Sequence, residues 1–198
     1  MNRTSYDCSS RGGVLDIIGA GVLVLIKKCI FSDNKGGNGA MWAYQSNLTI
    51  DQSTFTNNYC CYSGGGALYI ESGTAIHIIN SNFSNNEVTG GYAGGTVYLD
   101  AVEATVADSY FCENVAGLYG GAVSASANPF NITNCYFTDN VVPSSIMGGG
   151  GAIFAYRVSI LTDSYFNNNT AGYICGAVVV EGEATVTDSY FSNNIAGI

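Results

Sequence analysis

The residues of this chain that carry chemistry fall into three sets: acids, cysteines and glycosylation sequons. Asp163 and Asp188 belong to a recurring position that reads Lys28, Gln52, Asn80, Asp108, Asn134, Asp163 and Asp188 along the chain. Neighbouring carboxylates attract a cation, and with an Arg or Lys beside them they can bind an acidic sugar and abstract a proton. No basic residue recurs near this pair, and the lone His77 has no nucleophile next to it. The expectation is therefore a non-enzymatic protein. The seven cysteines lack paired CxxC spacing, so no metal and no other cofactor is expected. Cys8 and Cys61 each stand four residues before a Gly-Gly pair, and with Cys60 they are the candidates for a loop disulfide. Cys29 and Cys135 are expected to be buried free thiols. Five Asn-x-Ser/Thr sequons, at Asn2, Asn47, Asn82, Asn131 and Asn168, are candidate N-glycosylation sites.

Composition bounds what can position these groups. The chain has 198 residues, 47% of them hydrophobic and 11% charged, with a net charge of −9. Such a chain can bury a core, and its sign excludes a phosphate-binding footprint, so no nucleic-acid partner is expected. The charge is unevenly placed. Residues 1 to 35 hold five bases (Arg3, Arg11, Lys27, Lys28, Lys35) against three acids, whereas the remainder holds Arg157 against twelve acids. The apolar run from Val14 to Ile26 contains Asp16 and is about half the ~20 residues of a membrane span. It reads as buried strand, and no transmembrane segment is expected. The start, Met1 to Ser5, lacks signal-peptide features. A secreted gene product is then expected to begin before it.

The elements follow from a repeat. A Phe followed three residues later by Asn occurs seven times: Phe31/Asn34, Phe55/Asn58, Phe83/Asn86, Phe111/Asn114, Phe137/Asn140, Phe166/Asn169 and Phe191/Asn194. Between these stand glycine corners: Gly65-Gly66-Ala67-Leu68, Gly94-Gly95-Thr96-Val97, Gly120-Gly121-Ala122-Val123 and Gly150-Gly151-Ala152-Ile153, with looser copies at Gly12, Asn38 and Cys175. Five residues before each Phe lies an aliphatic: Ile26, Ile50, Ile78, Val106, Ile132, Leu161 and Val186. Seven before it come Val24, Leu48, Ile76, Ala104, Phe130, Ser159 and Ala184, and two before it a small residue, Cys or Ser. Polar residues alternate with these, which is the period-2 pattern of a strand with one buried face. Repeats of 24 to 29 residues with glycine corners predict one turn of a coil each. Stacking then puts like residues above one another. The seven Phe form an inner stack and the seven Asn a ladder of amides, each Asn also supplying the left-handed conformation of its corner.

These alternating Gly-Gly-Ala-aliphatic and Phe-x-x-Asn motifs resemble the repeats of the chlamydial polymorphic outer membrane proteins and, more broadly, right-handed parallel β-helix proteins. The resemblance runs from about Gly12 to Ile198 and implies an all-β, single-stranded right-handed parallel β-helix (a solenoid) of about seven rungs. It also implies a surface-exposed passenger used in adhesion. Residues 1–11 are read as an N-terminal arm or partial rung, and 12–198 as a β-helix domain ending mid-rung. By parity Asn47, Asn82 and Asn131 point outward, as do Trp42, Tyr69 and Tyr98 and the set Tyr110, Tyr136, Tyr165 and Tyr190. Leu23 and Leu25 are outward apolar residues of the first rung and a candidate interface. The functional expectation is an extracellular, cell-surface glycoprotein with a structural role. Head-to-tail self-association into a surface fibril is the sharper form, through a basic start and an acidic remainder. Its partners would be N-linked glycans and a carbohydrate or cell-surface ligand. A cell-surface adhesin, or a fragment of a longer β-helix adhesin, is the alternative. A polysaccharide-binding or lyase-like enzyme comes after it.

Overall fold

The computed structural model describes residues 13–62, 64–90, 94–144 and 146–197. Every regular element among them is a β-strand, and the strands form three parallel sheets of ten, seven and seven strands. The chain visits the three sheets in rotation, seven times, so each turn of the coil contributes to all three. The expected arm at residues 1–11 lies outside the described residues.

The first sheet holds the longest strands, Leu15–Lys27, Met41–Asp51, Leu68–Ile79 and Val97–Ala107. Each is bent in its middle, where the pairing register shifts. Gly19 and Gly21, Gln45, and Ser72 take positive φ at the bends of the first three. In later turns the bend becomes a break, giving Val123–Ala125 with Phe130–Thr133, Ile153–Ala155 with Val158–Thr162, and Val178–Val180 with Ala184–Thr187. The second sheet carries the Phe column on three-residue strands such as Thr54–Thr56 and Tyr136–Thr138, and the third consists of two-residue strands such as Tyr59–Cys60.

Register follows the repeat. Ile26, Ile50, Ile78, Val106, Ile132, Leu161 and Val186 pair in succession, as do all seven Phe. The rule behind this is simple: an inward side chain stacks on the same kind of side chain one turn away, so a slip would drive polar residues into the core. The column seven before the Phe departs once. In the sixth turn Val158, not Ser159, is buried and pairs with Ala184, because the register shifts between Val158 and Leu161. A buried hydroxyl costs free energy unless it is paired, and the shift supplies an apolar side chain instead.

The main core runs the length of the coil, with Phe55, Phe83, Phe111, Phe130, Phe137 and Phe166 fully buried. A second, slimmer column, Cys60, Val88, Ala116, Val142 and Ala171, lies inside the third sheet. Glycine is required where turns touch. A Cβ on Gly121 would strike the carbonyl of Gly151, and one on Gly151 that of Gly176. The preceding residues Gly120 and Gly150 sit in the left-handed region, where Cys175 takes the same conformation in the last copy.

Candidate functional site

The asparagine ladder is continuous. Asn34, Asn58, Asn86, Asn114, Asn140 and Asn169 each donate from Nδ2 to Oδ1 of the Asn one turn on, ending at Asn194, at 2.8–3.1 Å. The backbone N–H of each donates to the same Oδ1. The other Nδ2 hydrogen reaches back to a Phe carbonyl, from Asn58 to Phe31 through Asn194 to Phe166. An interior ladder amide thus spends both donors and accepts twice, which is what lets Asn86, Asn114, Asn140 and Asn169 be fully buried without an unpaired polar atom. The ladder has a direction, since every amide-to-amide bond is donated toward the C-terminal side of the coil.

The ladder asparagines depart from expectation in their backbone conformation. None of the ladder asparagines is left-handed; that conformation falls on the residue before each: Asp33, Asn57, Asn85, Glu113, Asp139, Asn168 and Asn193, at φ between 53° and 59°. A second corner, three before each Phe, is left-handed as well, at Lys28, Gln52, Asn80, Asp108, Asn134, Asp163 and Asp188. The corner residue turns the chain and faces solvent, so the next residue turns inward and carries the ladder.

The coil holds a second ladder. The column of small residues two before the Phe is hydrogen-bonded from turn to turn. Backbone N–H groups of Cys29, Ser53, Ser81, Cys135 and Ser164 donate to the hydroxyls of Ser53, Ser81, Ser109, Ser164 and Ser189. Those hydroxyls donate to the carbonyl two residues earlier in their own turn. The signal was the recurrence of Ser itself, where Ala would have packed as well.

The Phe stack is regular, with neighbouring ring centroids 4.6–5.1 Å apart and planes within 3–7° from Phe31 through to Phe191. On the outer face of the same sheet stand Tyr110, Tyr136, Tyr165 and Tyr190, 36–60% exposed. Tyr110, Tyr136 and Tyr165 stack at 4.9 Å with planes within 7°, whereas Tyr165 and Tyr190 are 6.3 Å apart and tilted by 48°. The expected outward aromatics of the first sheet fare differently. Trp42 is only 5% exposed, and Tyr69 and Tyr98 are half-buried, tilted by 44° to each other. Burial, reinforced by Glu71 and Tyr98, pushes the Tyr69 phenol up to about 12. Part of this face carries a covering: Tyr119, from the connection before a glycine corner, lies against Phe154.

The sequons divide by accessibility. Asn82 and Asn168 are exposed, Asn168 being itself a left-handed corner. Asn47 and Asn131 are half-buried; Asn47 Oδ1 accepts from the Ala75 N–H, and Asn131 Oδ1 is buried. Asn2 lies outside the described residues. Among the cysteines, Cys61 is in a disulfide, whereas Cys60 is a free, buried thiol donating to the Gly37 carbonyl at 2.8 Å and drops out of the candidate set. Cys60 points into the third-sheet column while Cys61 follows it outward, so only one of the two is accessible for bridging. Cys8 lies outside the described residues. Cys29 is half-buried and Cys135 fully buried, and desolvation pushes the Cys135 thiol up to about 12. Leu23 and Leu25 are 81% and 62% exposed and line an open groove with Thr49, Ala75 and His77. Asp163 and Asp188 are exposed corner residues, and the described residues contain no group of three or more His, Cys, Asp or Glu able to hold a metal. Asp51 is the buried acid among the described residues. Its carboxylate accepts from Lys27 Nζ at 2.7 Å and Asn80 Nδ2 at 3.1 Å, and these bonds hold it below the usual carboxylate range.

Comparison with known proteins adds kinship. A family model described as right-handed beta helix region matches residues 13–198. A probable autotransporter of Escherichia coli (strain K12), YfaL, is 30% identical over 172 residues, 76% of this chain but 14% of that protein. Metabotropic glutamate receptor-like protein R of Dictyostelium discoideum is 30% identical over 198 residues, 83% of this chain and 12% of that protein. The chain spans a small part of the length of either relative. No solved structure matches it. No helix among the described residues is long and apolar enough to cross a membrane.

Proposed function

This chain belongs to the right-handed β-helix family, and from that premise we propose that it is a non-enzymatic structural rod of a secreted or surface-displayed protein. The observation that carries the reading is the seventh turn. Val186 and Phe191 stand where earlier turns are buried, yet they are 50% and 45% exposed. The ladder amides before Asn194 all donate onward, so an eighth turn of the same kind would complete both stack and ladder. The first turn of another molecule can supply it in register, because parallel turns repeat at about 4.8 Å. End-to-end growth into a surface fibril is the form we favour for the isolated chain. Electron microscopy at high protein concentration tests it: rods one β-helix wide that lengthen with concentration support it, and isolated particles alone would overturn the fibril. Phe191→Asp should abolish the lengthening.

Surface location is supported by the autotransporter relative and by the disulfide at Cys61, since such bonds persist in oxidising compartments. The alternating motifs support the narrower kinship with chlamydial polymorphic outer membrane protein repeats, and with it an adhesive role. For adhesion the exposed tyrosine column is the favoured contact face. Its stacked rings present edges rather than faces, which favours a protein ligand over a sugar ring. Replacing Tyr110, Tyr136, Tyr165 and Tyr190 with Ser should then abolish cell binding while leaving rods intact. We further propose N-glycans at Asn82 and Asn168 ahead of Asn47 and Asn131, because an exposed amide is free to be modified. Intact mass before and after glycan removal from natively produced protein checks this, and an unchanged mass would sink it.

A further inference from the structure

We infer that the tyrosine column is an oxidative modification site, at which phenols on successive turns couple to a dityrosine staple. The inference stands apart from the fibril and adhesion readings. Tyr110, Tyr136 and Tyr165 are already stacked face to face at 4.9 Å with planes within 7°, and their edges are open to solvent. The arrangement is held from below, because these tyrosines alternate with the Phe column on the same short strands and pair in strict register. Two phenoxyl radicals couple through stacked rings, so this geometry has met the orientational requirement before oxidation. Exposed carboxylates at the adjoining corners, Asp108 and Asp163, each two residues before a tyrosine, favour removal of an electron from the stack.

The oxidant is hydrogen peroxide acting through a haem peroxidase, neither of which the protein supplies. Each of two phenols loses one electron and one proton to the oxidised haem, and the peroxide is reduced to two waters. The two radicals form a bond between Cε carbons. Both ring hydrogens then move to the phenol oxygens as the rings become aromatic again. The product is a covalent bridge between neighbouring turns, parallel to the coil axis. Tyr136 is shared by both well-stacked pairs, so it is the residue that every staple of this geometry must use. Tyr190 is tilted away and is not expected to couple.

The test is treatment of the folded chain with haem peroxidase and peroxide, followed by peptide mapping of the monomer under reducing conditions. The expected result is dityrosine fluorescence in the monomer, with linked peptides joining Tyr136 to Tyr110 or to Tyr165. Tyr136→Phe keeps the ring and the stack, so the variant should melt like the parent yet lose the signal, whereas Tyr190→Phe should keep it. Tyr62, Tyr156 and Tyr173 are as exposed as the column and serve as internal controls. Links spread over those three, links found only between molecules, or full yield from Tyr136→Phe would each overturn the proposal.

Discussion

Asn114 sits at the middle of the ladder and takes part in six hydrogen bonds, accepting from Asn86 and Val141 and donating to Phe83 and Asn140. Asn114→Ala leaves the Asn86 N–H and amide without an acceptor in a dry interior. At about 1–3 kcal/mol per orphaned group, the loss should reach roughly 3–5 kcal/mol. Asn194→Ala, at a partly exposed position with no ladder partner beyond it among the described residues, should cost clearly less; urea denaturation of the two variants checks the order. Glu113 offers the opposite experiment. It occupies a left-handed corner at φ 54° that other turns give to Asn or Asp, whose short side chains tolerate that region. Glu113→Asn should therefore stabilise by about 1 kcal/mol, read as a higher urea midpoint. The need for αL residues was legible in the recurrence of Asn and Asp at both corners. Which of two adjacent positions turned the chain, and which faced inward, was not, because Asn stands at both in four of the seven turns.

At the scale of strands, one electrostatic contact links three successive turns of the first sheet. Lys27 ends its first strand, Asp51 its second, and Asn80 follows its third. The Asp51 carboxyl is held below its ordinary value by these partners, so its contribution is present above the unfolded-state pKa of about 3.9 and fades as pH falls through the lower folded value. Stability measured from pH 6 downward should accordingly fall below about pH 4, and Lys27→Ala should flatten that part of the profile. Alternation made the strands legible, since Leu48 and Ile50 or Ile76 and Ile78 mark a buried face by themselves. The bend within the first sheet was hidden, because a shift such as that between Val158 and Leu161 changes which residue of a neighbouring pair faces inward without changing composition. Trp42 was misplaced for a related reason: parity says that a side chain leaves the coil, but not that a surface so reached is covered.

The whole molecule is close to one-dimensional. Each turn touches its two neighbours, and its stability is set by its own closure plus two interfaces. The middle turns have both interfaces satisfied, whereas the first and seventh expose residues that are buried elsewhere, such as Phe191. Amide hydrogen exchange should therefore be slowest around the Phe83, Phe111 and Phe137 turns and fastest around Phe191. Uniform exchange along the coil would mean that it unfolds as a single unit.

The sequence by itself determined the coil, its seven turns, the register of the Phe and aliphatic columns and the identity of the ladder. A residue repeated at every turn can stack only on its own copies, so periodicity is already a contact map. Tertiary structure alone decided the rest: the hydroxyl ladder, the division of sequons into open and half-buried, the exclusion of Cys60 from the disulfide candidates and the stacking of three tyrosines but not the fourth. Those depend on distances of a few tenths of an ångström and on segments folding over the coil from elsewhere, and neither is periodic.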